Sequence, residues 1–305
     1  MNKFLPNILS SKLKDNEISI FLFHGVYKKN NFLIRNYTKK HLEENIFEKC
    51  ISELKKEANP LSMDDVIRIY ENKEKIKGKN FVITFDDGFE NNLSIAYPIM
   101  RDHKVPMIVY LTTDFINSNE LSWIDKIEHC VEKTKKKEII LGKKFYQIDS
   151  IEKKISFLNL IRKNFKRKKN INFDLLVNEI KSKTNVLSVS NFKNQLDLKI
   201  SWEQVNRFSK EKYINFGGHS HTHKILSFLS SKELEKEISI CSKLLLKKGN
   251  LNTPHFSYPE GLKYCFSKKV ITMLKKYKYK CSPTAIKGNN NLRNNLFNLK
   301  RIMVN

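Results

Sequence analysis

Two carboxylates stand side by side in Thr84-Phe85-Asp86-Asp87-Gly88, at the end of a hydrophobic run and just before a glycine. Adjacent acids at a strand end can divide labour, one holding a metal ion while the other takes a proton. The same residues also read as an Asp-Gly turn whose first aspartate caps the next element. Gly217-Gly218-His219-Ser220-His221-Thr222-His223 follows another strand-like run. If the chain turns helically there, His219 and His223 share a face and can hold one metal, while His221 points elsewhere; a histidine cluster also fits a solvated loop. Asp87 would complete two histidines and a carboxylate, a recurrent catalytic metal set with positions left open for water. A third segment, His255-Phe256-Ser257-Tyr258-Pro259-Glu260-Gly261, closes a strand in a Pro and Gly turn. Backbone N–H groups near Ser257 and Tyr258 can face a developing oxyanion and Tyr258 can line a pocket, although an ordinary strand-ending turn has the same composition. His24, in Phe23-His24-Gly25, stands just past the first strand, where a lone histidine is as readily structural.

These residues need elements to position them. Short apolar runs at 18–23, 81–85, 107–111, 213–216, 255–258, 279–282 and 299–304 alternate with stretches of helical period, the pattern of βα units around a parallel sheet. Ser62 with Asp65, Ser201 with Gln204 and Ser230 with Glu233 are spaced as capping boxes. In the last helix Leu234, Ile238, Cys241 and Leu245 form one apolar stripe. A helix is expected over 41–56, with Leu42, Ile46, Cys50 and Leu54 inward, and another over 91–103, kinked or opened in its first half by Pro98. The expected fold is a distorted (β/α) barrel of about seven strands. His24, Asp86, Asp87, His219, His223 and Tyr258 all fall at or just past the C-terminal ends of its strands, the rim where such barrels build active sites.

The alternation breaks between 118 and 199, where lysine-rich helical stretches surround a hairpin at 138–148 turning on Gly142. This reads as an insertion in a single domain covering 1–305. The chain of 305 residues carries 57 Lys and Arg against 32 Asp and Glu, a formal charge of +25, and 11 of that excess lie within 133–169. With 40% hydrophobic residues, wholesale disorder is excluded. A nucleic-acid binder is not expected, since the basic residues are scattered over many helices and no binding module is present; the 133–169 region suits an anionic membrane surface or an acidic glycan. Five cysteines, widely spaced and odd in number, argue against a disulfide framework and a zinc ribbon. Met1 to Ser10 is too weakly apolar for a signal peptide, and no run is long enough to span a membrane, so a cytoplasmic protein, peripheral at the inner membrane surface, is expected.

Together the motifs resemble the polysaccharide deacetylases, the NodB-homology family of carbohydrate esterases. Thr84 to Gly88 matches the family's T-F-D-D-G, His219 to His223 matches H-[ST]-x-x-H, and Phe256 to Gly261 has the F-x-Y-P-x-G form of the exopolysaccharide and poly-N-acetylglucosamine deacetylase branch. The likeness extends to 201–205, 226–237, 112–116 and the terminal Lys300-Arg301-Ile302. It implies that Asp86 is the catalytic base and that Asp87, His219 and His223 hold one divalent metal, usually zinc, with cobalt, nickel or iron as alternatives. In this branch the acid-supplying histidine comes from the first strand, where His24 stands; no Leu-x-His follows Gly261. The third motif lacks the arginine that in many relatives orients the aspartate, and Arg301 is the candidate replacement. Glu260 stands where relatives often have an aromatic residue. The expected reaction is metal-dependent hydrolysis of an N-acetyl, or O-acetyl, group on a polysaccharide or glycan precursor, with a bell-shaped pH profile. The alternative is a deformylase or amidase acting on a lipid-linked sugar or small amide.

Overall fold

The computed structural model describes residues 5–28, 32–118, 121–169, 171–186 and 194–305. The chain opens with α1 (Leu5–Ser10) and β1 (Glu17–Phe23). Two short paired strands, β2 (Gly25–Tyr27) and β3 (His41–Glu43), lead into α2 (Glu44–Glu57), β4 (Asn59–Pro60), α3 (Met63–Glu71), β5 (Lys79–Phe85), α4 (Tyr97–Asp102) and β6 (Met107–Leu111). Next come α5 (Trp123–Lys133), the hairpin of β7 (Glu138–Leu141) and β8 (Lys144–Gln147), α6 (Ile151–Phe165), α7 (Phe173–Thr184) and α8 (Trp202–Phe208). The chain ends with β9 (Ile214–Gly218), α9 (Ser231–Gly249), α10 (Lys268–Lys276) and β10 (Ile302–Met303).

The main sheet runs β10-β1-β5-β6-β9 with every neighbour parallel, and β4 lies beside the start of β5. Its strands are buried on both faces, which explains their near-continuous apolar sequences. Phe81, Ile83 and Phe85 pack in one cluster with Leu54 of α2 and Leu234 of α9. Val82 points the other way, into a cluster with Ile20, Ile108 and Tyr110, and period-2 alternation puts Thr84 and Asp86 on that same side.

The expected strands at 255–258 and 279–282 are reduced to single parallel bridges, Gly218 to Phe256 and His255 to Cys281. Pro254, Pro259 and Pro283 border them, and a residue without an N–H cannot carry a ladder onward. The helix expected from 41 begins at Glu44 instead; His41 and Leu42 lie in β3, although Leu42 still reaches the core. The stretch around Pro98 is a π-helix over Asn92–Ala96 followed by α4, the wider turn accommodating the missing N–H and the proline ring. All three capping boxes form, at Ser62, Ser201 and Ser230.

Between β6 and β9, helices α5 to α7 and the hairpin gather an apolar cluster of their own, including Ile127, Val131, Ile139, Leu158, Ile161 and Ile180. All five cysteines are free and buried, and no described helix is long and apolar enough to cross a membrane.

Candidate active site

Because the sheet is parallel, β1, β5 and β9 all deliver their next residues to one rim. Those residues are His24, Asp86 with Asp87, and His219. Asp86 is anchored at its backbone, where its N–H donates to the Phe23 carbonyl at 3.0 Å. Its carboxylate accepts two bonds from Arg301, from Nη1 to Oδ1 and from Nη2 to Oδ2, each 2.8 Å. Arg301 is 1% exposed. Its other N–H groups donate to the Thr284 carbonyl (2.7 Å), Thr84 Oγ1 (3.2 Å) and Ser257 Oγ (3.0 Å). A buried guanidinium with such a full set of acceptors is locked in place.

Asp87 turns the chain with φ +76°, a left-handed conformation that Asp tolerates better than most residues. One oxygen, Oδ2, meets Lys40 Nζ at 2.8 Å. The other, Oδ1, is buried 3.2 Å from His223 Nε2 and 3.5 Å from His219 Nε2, and among the described residues no hydrogen bond of good geometry reaches it.

The histidine segment forms a tight turn and not a helix. Ser220 (φ +63°) and His223 (φ +59°) are left-handed, and this tight turn brings the two rings to 5.0 Å. His219 Nδ1 is 2.8 Å from the Ser257 carbonyl, which assigns the proton to that nitrogen and leaves Nε2 as a lone-pair donor. His221 points away, to Thr113 Oγ1 at 3.0 Å. The ligand atoms of Asp87, His219 and His223 all lie within 4.8 Å of one another. A buried carboxylate oxygen without such a bond, facing two imidazole nitrogens, fits a divalent cation.

Burial alone would raise the Asp86 carboxyl, but Arg301 and His219 outweigh it and hold it below the ordinary value. The same contest in Asp87 is won by Lys40 and His223, which keep it well below. Burial lowers His24 to about 4 and also lowers His219. In His223 the burial effect is overcome by Asp87 and the group is raised. Burial thus works against a charge on His24, which stands beside a carboxylate held in its ionised form.

Two further expectations change. The Ser257 N–H donates to the Gly218 carbonyl at 2.8 Å, so it serves the sheet and is closed to an oxyanion. The Tyr258 side chain is fully buried, bonds the Phe297 carbonyl at 3.1 Å and stacks on Phe266, inside the core and not on the cavity wall.

Three residues join the site that the motifs did not single out, although Glu237 ends the 226–237 stretch of family likeness. Lys40 is one lysine among many. Lys199 lines the cavity, its Nζ 3.3 Å from the centre of the Phe89 ring, and burial pulls it down to about 7. Glu237 of α9 accepts from the N–H groups of His221 (3.0 Å) and Thr222 (2.8 Å) and from the Thr222 hydroxyl (2.5 Å), holding the histidine turn from behind.

The fold is shared with solved sugar deacetylases. The chain resembles the Streptococcus pyogenes deacetylase PplD, solved in complex with acetate, at 16% identity over 95% of this chain and 93% of that one, with a TM-score of 0.61. It resembles IcaB from Ammonifex degensii at 12% identity over 96% and 93% (TM-score 0.59). The deacetylase domain of BpsB from Bordetella bronchiseptica matches at 13% over 95% and 97% (TM-score 0.54). The polysaccharide deacetylase family profile matches residues 73–282, and the chain belongs to that family. It is therefore a carbohydrate esterase, hydrolysing acyl amide or ester bonds on sugars. No curated protein sequence matches it. Deacetylases of the family are generally metal-dependent.

Proposed function

We propose that this enzyme removes an N-acetyl, or O-acetyl, group from an amino sugar of a polysaccharide or glycan precursor, with zinc as the ion held by Asp87, His219 and His223. The observation that carries the reading is the side-by-side placement of an Arg301-anchored carboxylate and a two-histidine, one-carboxylate cluster whose inner oxygen receives no hydrogen bond of good geometry from the described residues. A divalent ion there would polarise the acyl carbonyl and lower the pKa of water. Asp86 takes the attacking water's proton. Burial lowers His24 to about 4, and on this reading the proton it gives the leaving nitrogen is the water's own, passed on by way of Asp86. The Tyr258 main-chain N–H is the donor proposed for the oxyanion, a contact typically worth about 3 kcal/mol. The same geometry accepts a formyl group.

The test is mass spectrometry of acylated glycans and lipid-linked sugars incubated with protein treated with a chelator and then reloaded. Acyl loss should disappear with the chelator and return with zinc or cobalt, and Asp86→Asn should keep the metal but lose turnover. Hydrolysis that persists without metal would overturn the reading.

Residues 118–199 are read as an insertion in a single unit spanning 1–305, and its basic part as a contact with an anionic surface. Supporting this, Ile140 and Phe145 face each other across the hairpin and are 51% and 54% exposed, beside exposed Lys143 and Lys144. Apolar tips among lysines suit an anionic bilayer, at about 1 kcal/mol per lysine near the surface. Equal sedimentation with anionic and neutral vesicles would sink this. Five buried free thiols suit a reducing compartment.

A further inference from the structure

We propose that α5 and α6 narrow the rim into a pocket for one sugar residue, so that the enzyme deacylates a terminal or lone amino sugar and not the internal units of a chain. This deepens the hydrolytic reading of the site and rests on it. An enzyme that works along a polymer needs a groove open on both sides of the reacting sugar. Here Asp86 and the metal-ligand cluster line a cavity of about 260 Å³, just under the roughly 300–1,000 Å³ common for small-molecule pockets.

One wall comes from outside the sheet. Trp123, at the start of α5, lines the cavity and is braced by stacking on Phe173 at 4.4 Å. Arg162 of α6 also lines it, with Nε donating to the Tyr37 hydroxyl at 2.9 Å and Nη2 to Glu128 at 2.6 Å. A guanidinium fixed at two nitrogens loses little freedom when the third meets a ligand oxygen. Lys166, one turn further on, crosses to the turn that closes the third motif, where its Nζ lies 2.5 Å from Glu260 Oε2. Both partners line the cavity. A chain threaded over the metal cluster would have to part this pair. A single ring with an acyl group asks for no such parting, and a flat aromatic with a hydrogen-bonding cation suits a sugar face and its hydroxyls.

The sequence has only two tryptophans, so a Trp202→Phe background leaves Trp123 as the reporter of pocket occupancy. Its fluorescence is titrated with N-acetylglucosamine oligomers from the monosaccharide to the hexamer, and the same series, incubated with zinc-loaded protein, is sequenced by tandem mass spectrometry. We expect midpoints that stay within about threefold across the series and, at every length, loss of one acetyl from the terminal residue alone. Affinity rising by roughly tenfold or more with length, or acetyl loss from internal units, would overturn the one-sugar pocket. Length-independent binding without acetyl loss would support the pocket and overturn its reading as a hydrolytic site. No quenching by any oligomer would overturn both for this sugar. Lys166→Ala combined with Glu260→Ala should open the wall and allow internal loss; an unchanged terminal-only pattern in that variant would count against the pair as the barrier. Monosaccharide on a lipid carrier, assayed beside free oligomers, separates the two sources of a terminal sugar.

Discussion

The guanidinium of Arg301 lies along the carboxylate of Asp86 in two parallel bonds of 2.8 Å, although 215 residues separate them in the chain. Arg301, the residue just before β10, thus holds the carboxylate that the third motif has no arginine to meet. Arg301→Lys keeps the charge and loses the fork, and we expect kcat to fall about 10- to 100-fold with metal content unchanged. Arg301→Met leaves a buried carboxylate uncompensated and should cost about 3–5 kcal/mol in unfolding free energy. Chemical denaturation and metal analysis of the two variants check this, and equal activity in the lysine variant would deny the fork its role.

His24 gives a prediction about leaving groups. His24→Ala should slow hydrolysis of an amide by about 10²–10⁴-fold and of an activated aryl acetate far less, because a phenolate leaves without a proton. Since burial holds the imidazole at about 4, kcat/KM of the parent enzyme should show no alkaline limb from this group between about pH 6 and 8. A limb in that window that vanishes in His24→Ala would mean that a standing imidazolium is the acid.

The metal-free protein should lose stability as pH falls from about 6.5 to 4. In that interval the unfolded chain binds a proton at His24 that the folded state, lowered to about 4, does not. Stability therefore rises with pH across it, by up to roughly 3 kcal/mol for this one group. Lowered His219 and His41 add to the slope in the same direction, and the depressed Asp86 and Asp87 extend the loss below their unfolded values. Urea titrations at several pH values, with His24→Asn as the comparison, check both slope and sign.

Glu237 touches none of the reacting groups but holds three donors of the histidine turn. Glu237→Gln, which keeps one acceptor oxygen, should cost about 1–3 kcal/mol and weaken metal affinity about 10- to 100-fold. Cobalt titration followed by absorbance separates this positioning effect from a general loss of fold: native affinity with lowered stability would make the residue merely structural.

Much of this arrangement was legible in the residues themselves. Strand ends fix where side chains emerge, so Asp86, Asp87, His24 and His219 could be placed on one rim from apolar alternation alone. A helical turn is one way to bring His219 and His223 together; the chain uses another, because Ser220 and His223 take left-handed conformations that no periodicity announces. Ser257 was misread because its N–H, free in an isolated turn, is claimed by Gly218 of a strand distant in sequence. Lys40 and Lys199 gave no signal because 57 basic residues drown the two that matter, and a long-range contact between unlike charges leaves no local pattern.

Two of the three proposed metal ligands, Asp87 and His223, hang from left-handed backbone. Residues held in such conformations cost about 1–3 kcal/mol each, and glycine would relieve that cost at either position. Selection for heat resistance alone would therefore drift toward sequences that empty the centre, Asp87→Gly and His223→Gly among them, trading chemistry for durability. A laboratory lineage of this enzyme needs a catalytic screen running beside any thermal one.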